Sequence, residues 1–266
     1  MRYCLKSRQK KELLAEADEI RVAARDYKQA IDLMEDYPKA RIIVEIDDLD
    51  IKWSILQTLN KKYPGRLVLC LAIGDVLEEF KEFEYFFSFY LNTWQDLNSA
   101  VSLGVNEGFI GAPLFFQQDR IKERYPDFKV RAIPNRAATG NVARKDFAHG
   151  TWIRPEDTEF YEPYVWCFEF ASSGPDIEEV LYKIYRHNKE WRGNINILIP
   201  QLDYNTNNQF IAKEIMPTRL NCNQTCETRG SCHLCDTALK WQATIEEYRR
   251  QKEEKRTVKS SSMATD

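Results

Sequence analysis

Short apolar runs alternate with amphipathic stretches along the chain. Runs rich in β-branched and aromatic residues predict strands at Glu19–Val22, Arg41–Ile46, Arg66–Ile73, Tyr85–Tyr90, Gly108–Ala112, Lys129–Ile133, Tyr164–Phe170 and Gly193–Pro200. Helix-spaced apolar residues lie between them. Ile31, Leu33 and Met34 mark a helix over Tyr27–Tyr37, and Ile51, Trp53, Ile55, Leu56 and Leu59 mark one over Asp47–Tyr63. A third helix begins at a Thr93 cap, runs through Leu97, Ala100, Val101 and Leu103, and ends at Gly104. Gln118–Tyr125 is a short helix, and Pro155 suits a first helical turn with Glu156 and Asp157 at its positive end. Asp176 is expected to cap a helix over Ile177–His187, and a last helix is expected over Thr237–Arg250.

Eight strands alternating with helices predict a parallel sheet, and their spacing matches a (β/α)8 barrel. An open doubly wound sheet is the alternative. It lacks its usual support, because no Gly-x-Gly-x-x-Gly follows the first strand and no phosphate-binding Gly-x4-Gly-Lys-Ser/Thr is present. The organisation expected is a barrel-like domain over 1–218, a four-cysteine segment with a terminal helix over 219–250, and a disordered tail over 251–266.

The rim of such a barrel is where chemistry belongs. The polar residues expected there are Glu45, Asp47, Asp75, Asn92, Asn135, Arg136, Glu169, Gln201 and Asp203. Asp47 and Asp75 directly precede helices, and capping explains both. Glu45 and Glu169 differ, because each interrupts an apolar strand. A buried carboxylate there is either paired with an arginine or catalytic. Glu45, Glu169, Asn135 and Arg136 are therefore the candidate catalytic residues. The polar stretch Asn135–His149 is longer than an ordinary connection. With Arg131, Arg136, Arg144 and Lys145 it offers positive charge to a polar small molecule or a nucleic-acid backbone, and Arg219 adds a charge beside the cysteines. No nucleophile elbow and no His-Glu-x-x-His is present, so serine hydrolases and zincins have no support.

Four of the seven cysteines, Cys222, Cys226, Cys232 and Cys235, fall within fourteen residues spaced C-x3-C-x5-C-x2-C. Their neighbours are polar, which is loop chemistry rather than core packing. Four thiolates can surround Zn2+ or hold a [4Fe–4S] cluster, and the spacing does not choose between them. Two disulfides are the competing reading; no secretory signal accompanies the cysteines. Nor does any apolar run reach the roughly 18–20 residues of a membrane span. Net charge of −3 and a pI near 5.8 do not indicate a broadly basic nucleic-acid binder. A cytoplasmic protein with reduced thiols is expected.

The segment Gly104-Val-Asn-Glu-Gly-Phe-Ile-Gly-Ala-Pro-Leu-Phe-Phe116 follows a helix beginning Asn92-Thr-Trp-Gln-Asp-Leu-Asn. It resembles the helix, Gly-Val, strand, small-residue, Leu unit of the collagenase-like peptidase superfamily. That superfamily includes bacterial proteins for oxygen-independent ubiquinone and RNA hydroxylation. The resemblance spans about Tyr85 to Cys235 and implies a barrel-like fold, with the four cysteines as ligands of a cluster or metal. Gly150–Asp157, Tyr161–Tyr164 and Arg219–Cys235 also resemble a group of uncharacterised phage and bacterial proteins, which implies no activity. Two functional expectations follow. One is a barrel enzyme with an iron–sulfur cluster or zinc beside its mouth. The other is a non-enzymatic, phage-associated interaction protein with a structural zinc and a phage or host protein as partner.

Overall fold

The computed structural model describes residues 1–23, 26–47, 51–72, 78–115, 117–136, 153–171 and 174–190. It also describes 192–193, 198, 210–211, 247, 250–251 and 254. Nine strands form one parallel sheet: β1 (Arg2–Lys6), β2 (Glu19–Ala23), β3 (Arg41–Ile46), β4 (Leu67–Leu71), β5 (Glu84–Phe87), β6 (Tyr90–Leu91), β7 (Glu107–Ile110), β8 (Lys129–Ala132) and β9 (Val165–Glu169). Their order is β5-β4-β3-β2-β1-β9-β8-β7-β6. The two ends of this order, β5 and β6, are separated in the chain by Ser88 and Phe89 alone. Across that seam Phe86 of β5 stands 5.9 Å from Phe109 of β7, ring to ring. The sheet is thus a nearly closed barrel with eight positions, β5 and β6 sharing one. This bears out the barrel over the open sheet.

The expected membership of the ring is corrected at both ends. The ring starts at Arg2, where β1 pairs with both β2 and β9. It is complete by Glu169. Of the expected eighth strand, Gly193–Pro200, only Gly193 and Leu198 are described. Gly193 belongs to a separate two-stranded antiparallel sheet of β10 (Arg192–Gly193) and β11 (Phe210–Ile211), and 194–197 and 199–200 lie outside the described residues. The four-cysteine segment and residues 137–152 also lie outside them.

Helices follow the strands in βα order. They are α1 (Lys11–Leu14), α2 (Tyr27–Asp36), α3 (Trp53–Lys62), α4 (Trp94–Ser102), α5 (Ala112–Phe115), α6 (Gln118–Arg124), α7 (Thr158–Tyr161) and α8 (Pro175–Arg186). Local chemistry sets their starts. Thr93 and Asp96 form a reciprocal capping box at α4, and Asp26 accepts from the Gln29 amide at α2. The α8 start differs from expectation, since Gly174 is the cap and Pro175 the first helical residue. Asp47 does not cap α3, which begins six residues later at Trp53. Gly104 ends the α4 region with φ +84°, a conformation that favours glycine.

Side chains alternate between the two faces of each strand. The outward set (Ile20 and Val22; Ile42, Val44 and Ile46; Leu67, Leu69 and Leu71) is buried under the helices and forms the apolar core. The inward set is the unusual one. Glu19 and Arg21 on β2, Arg41 and Glu45 on β3, Glu107 on β7, Arg131 on β8 and Glu169 on β9 put charge inside the barrel. Among the described residues no helix is long and apolar enough to cross a membrane.

Candidate active site

Charges inside a barrel need partners, because burying an unpaired ion is costly. Here they form one chain of ion pairs from floor to mouth. At the floor Glu84 meets Lys129 at 3.7 Å and Arg41 at 3.2 Å. The indole of Trp166 lies under the Arg2 guanidinium, 4.0 Å from its ring centre. In the middle Arg41 reaches Glu19 at 2.6 Å and Glu107 at 3.0 Å. Arg131, fully buried, closes the square with Glu19 at 2.7 Å and with Glu107. Burial pushes the Glu19 carboxyl up, but Arg131 and Arg41 outweigh it and hold it below the usual carboxylate range.

At the mouth Arg21 takes over. Its Nη1 donates to Glu169 Oε1 at 2.5 Å, and its Nη2 donates to Glu45 Oε1 and Cys70 Sγ, each at 3.0 Å. Burial alone would weaken the Arg21 cation; Glu169, Cys70 and Glu45 overcome this and keep it charged. Burial also pushes the Cys70 thiol up to about 12, so it stays protonated at neutral pH.

A cavity of about 390 Å3 opens over this group. It is lined by Lys6, Ser7 and Arg8 from the end of β1, Arg21, Val22 and Ala23 from β2, Glu45 from β3 and Glu169 from β9. All of these stand at or just beyond carboxyl ends of barrel strands. The two carboxylates differ. The Glu45 side chain is 40 % exposed, whereas that of Glu169 is 8 % exposed and its Oε2 has no hydrogen-bond donor. Arg131 stands 4.0 Å from that oxygen. The loop after β1 is fixed from below by α8: Glu178 accepts from the Lys6 amide at 3.1 Å and from Gln9 Nε2 at 2.7 Å.

Outside this lining, Tyr90 of β6 points into the barrel, its ring 5.8 Å from that of Phe109. Arg136 donates to its hydroxyl at 2.5 Å and lies over its ring at 4.4 Å. Burial pushes the phenol up to about 12, with Arg136 opposing, and the charges of Glu169 and Arg21 also act on it.

The structure therefore brings together two of the four candidate catalytic residues, Glu45 and Glu169, in one cavity wall. Arg136, beyond the end of β8, stands against Tyr90 and is not in that lining. Asn135 does something else: buried, it accepts from the Ala171 amide at 2.9 Å and donates to the Ala171 carbonyl at 2.7 Å, clamping the exits of β8 and β9 together. Asn92 donates to the Tyr90 carbonyl at 3.2 Å and is exposed. Arg131 is not part of a basic loop face, since it is enclosed by carboxylates at the barrel centre. Asp75, Arg144, Lys145, His149, Gln201, Asp203 and Arg219 lie outside the described residues, as do Cys222, Cys226, Cys232 and Cys235. Lys6 and Arg21 have no counterpart among the candidates. The signal for Arg21 was the alternation of charge and apolar residue in Glu19-Ile-Arg21-Val, whereas Lys6 ends an apolar run too short to mark a strand. Among the described residues no group of three or more His, Cys, Asp or Glu is placed to hold a metal ion.

No family model and no curated protein matches the chain. Solved structures do. KGPDC from Streptococcus mutans matches with TM-score 0.41 at 12% identity, covering 70% of this chain and 96% of that one. A 3-keto-L-gulonate-6-phosphate decarboxylase from Vibrio cholerae O1 biovar El Tor matches with TM-score 0.36 at 13% identity, covering 70% and 96%. A 4-hydroxy-2-oxoglutarate aldolase/2-deydro-3-deoxyphosphogluconate aldolase from TTHB1 matches with TM-score 0.38 at 14% identity, covering 75% and 92%. Similarity of this size carries no argument about function, and the barrel rests on the strand order itself. These findings overturn the resemblance to the collagenase-like peptidase superfamily and to the phage and bacterial group. The physical reason is visible at Gly104–Phe116. Gly104 turns the chain out of α4, Val105 is buried, β7 follows and α5 begins at Ala112. That pattern belongs to a helix-to-strand return in any α/β barrel.

Proposed function

We propose that the mouth of the barrel binds a small polar molecule carrying both an anionic group and a hydroxyl or amine, and that the chain is an enzyme acting on it. The observation that carries this reading is Glu169, which lines the cavity and whose buried Oε2 has no hydrogen-bond donor among the described residues. A buried acceptor left unpaired costs about 1–3 kcal/mol, and a ligand hydroxyl or amine would supply the missing hydrogen bond. Lys6 at the end of β1 and Arg8 just beyond it offer the positive charge for the anionic end. Arg21 holds Glu169 Oε1, and Oε2, out of solvent contact and 4.0 Å from Arg131, is the atom left for a ligand donor.

Titration calorimetry on the full chain tests this with sn-glycerol 3-phosphate and D-glycerate as probes, against glycerol. Binding of either anionic probe, weakened at least fivefold in Lys6→Ala, supports the reading and tells phosphate from carboxylate. Glycerol binding as well as the anionic probes, or no effect of Lys6→Ala, contradicts it.

For the cysteine segment the proposal comes from spacing alone. Cys222, Cys226, Cys232 and Cys235 hold one centre, a [4Fe–4S] cluster or Zn2+. Metal analysis of protein purified without oxygen distinguishes about four irons from one zinc, and a metal-free chain rejects both.

A further inference from the structure

Glu178, in the first turn of α8, is fully buried, and both of its carboxylate oxygens are in use. Oε1 accepts from the Lys6 amide at 3.1 Å, and Oε2 accepts from Gln9 Nε2 at 2.7 Å. Gln9 Nε2 also donates to the Pro175 carbonyl at 2.9 Å, so its two protons tie the loop after β1 to the start of α8. Among the described residues no lysine or arginine forms an ion pair with Glu178. The charged groups acting on it from neighbouring elements are Lys6 of β1, which favours its anion, and Glu169 of β9, which opposes it. On its own helix Glu179 pairs with Lys10 and Lys183. Burial outweighs the two hydrogen bonds and Lys6, and pushes the Glu178 carboxyl above the usual carboxylate range. Lys6, whose amide Glu178 holds, lines the cavity at the mouth together with Ser7 and Arg8.

We propose that Glu178 is a proton-operated latch on the mouth. Ionised, it holds Lys6 to Gln9 where Lys6 and Arg8 serve an anionic ligand; protonated, it releases this loop and binding weakens. This rests on the reading of the mouth as a small-molecule site. The reason is a count of donors and acceptors. Two N–H groups, those of Lys6 and Gln9, point at one carboxyl. The carboxylate accepts both. The neutral acid accepts well only at its carbonyl oxygen and adds an O–H, so three donors then compete for one good acceptor. A buried donor left unpaired is costly, and the loop relieves that cost by moving off α8. Binding and protonation are linked reciprocally: a ligand that needs the latched loop lowers the Glu178 value and favours release of its proton. Glu178 is a positioning residue, since it acts on the ligand only through Lys6 and its loop.

The test compares full-length wild-type protein with Glu178→Gln. Glutamine keeps the size and one acceptor oxygen, so it stands for the protonated latch at every pH. The first readout needs no ligand: exchange of the Lys6 amide followed by NMR, corrected for the intrinsic pH dependence of exchange. Wild-type protection is expected to fall about tenfold or more as the pH drops through the raised Glu178 value, and to be low throughout in the variant. The second readout is calorimetric titration with the tighter of sn-glycerol 3-phosphate and D-glycerate over the same pH range. At the alkaline end the variant is expected to bind at least about fivefold more weakly than wild type, and the two converge in acid. Titration of the probe itself is common to both proteins and cancels in the ratio. A ratio that stays constant with pH makes Glu178 a structural residue only and overturns the latch. A wild-type advantage that grows in acid, as loss of a negative charge near Lys6 would give by itself, overturns it too. Lys6 protection in wild type that ignores pH overturns the latch even where Glu178→Gln does not fold. If neither probe binds, the reading of the mouth is overturned and with it the control of binding; the Lys6 protection still tells that failure from a failure of the latch.

Discussion

Residue by residue, the barrel interior is an exercise in charge pairing. Arg131 sits with no solvent contact between Glu19 and Glu107. Removing it leaves two buried carboxylates short of a partner, a loss of about 3–5 kcal/mol by analogy with broken buried pairs. Arg131→Met is therefore expected to lower the urea midpoint strongly with an unchanged slope, and a shift under about 1 kcal/mol would contradict the paired geometry. Glu19 makes the same point through pH. Its folded pKa lies below the ordinary value, so the native state binds its proton less readily than the unfolded chain. Its contribution is complete above the unfolded carboxylate range near pH 4.3 and is lost as pH falls through the lower folded value. Urea unfolding from pH 7 to pH 3 checks the sign. Stability is expected to hold down to about pH 5 and then fall; Glu19→Gln removes that part of the fall. A variant with the same acid profile as wild type would contradict the assignment.

Elements were legible where their chemistry was local. Thr93 announced the α4 start because a threonine cap needs only its own helix, and Asp96 completes the box. Thr93→Ala is expected to cost about 1 kcal/mol, read as a drop in melting temperature of a few degrees without change in ligand binding. The strand β1 was not legible. Tyr3-Cys4-Leu5 is only three apolar residues between Arg2 and Lys6, shorter than the runs that mark the other strands. It becomes a strand by pairing with β2 on one side and, on the other, with β9 far along the chain. At Gly193–Pro200 a long apolar run reads as a barrel strand, yet its first residue pairs with Phe210 of β11 outside the ring. Asp47 looked like a cap, yet α3 waits until Trp53, so proximity to a helical pattern did not fix the boundary.

For the whole molecule, the barrel followed from the alternation of strand and helix, and the mouth from the rule that chemistry sits at carboxyl ends of strands. Glu45 and Glu169 were visible because each breaks an apolar strand. Arg21, which binds both, was not singled out, since an arginine in a short strand reads as solvent-facing until the ring closes around it. The pair Tyr90 and Arg136 is further still from sequence, because it joins β6 to the exit of β8. The central claim is that Glu169 Oε2 waits for a ligand donor. The measurement that tests it most directly is calorimetric titration of wild-type protein and Glu169→Gln with the tighter of sn-glycerol 3-phosphate and D-glycerate. A hydrogen bond to a charged group is worth about 1.5–3 kcal/mol, so the account predicts at least a tenfold loss of affinity in the variant, with the fold intact by circular dichroism. Equal affinity in the two proteins would mean that the buried oxygen does not face the ligand, and the mouth would lose its claim to be the site.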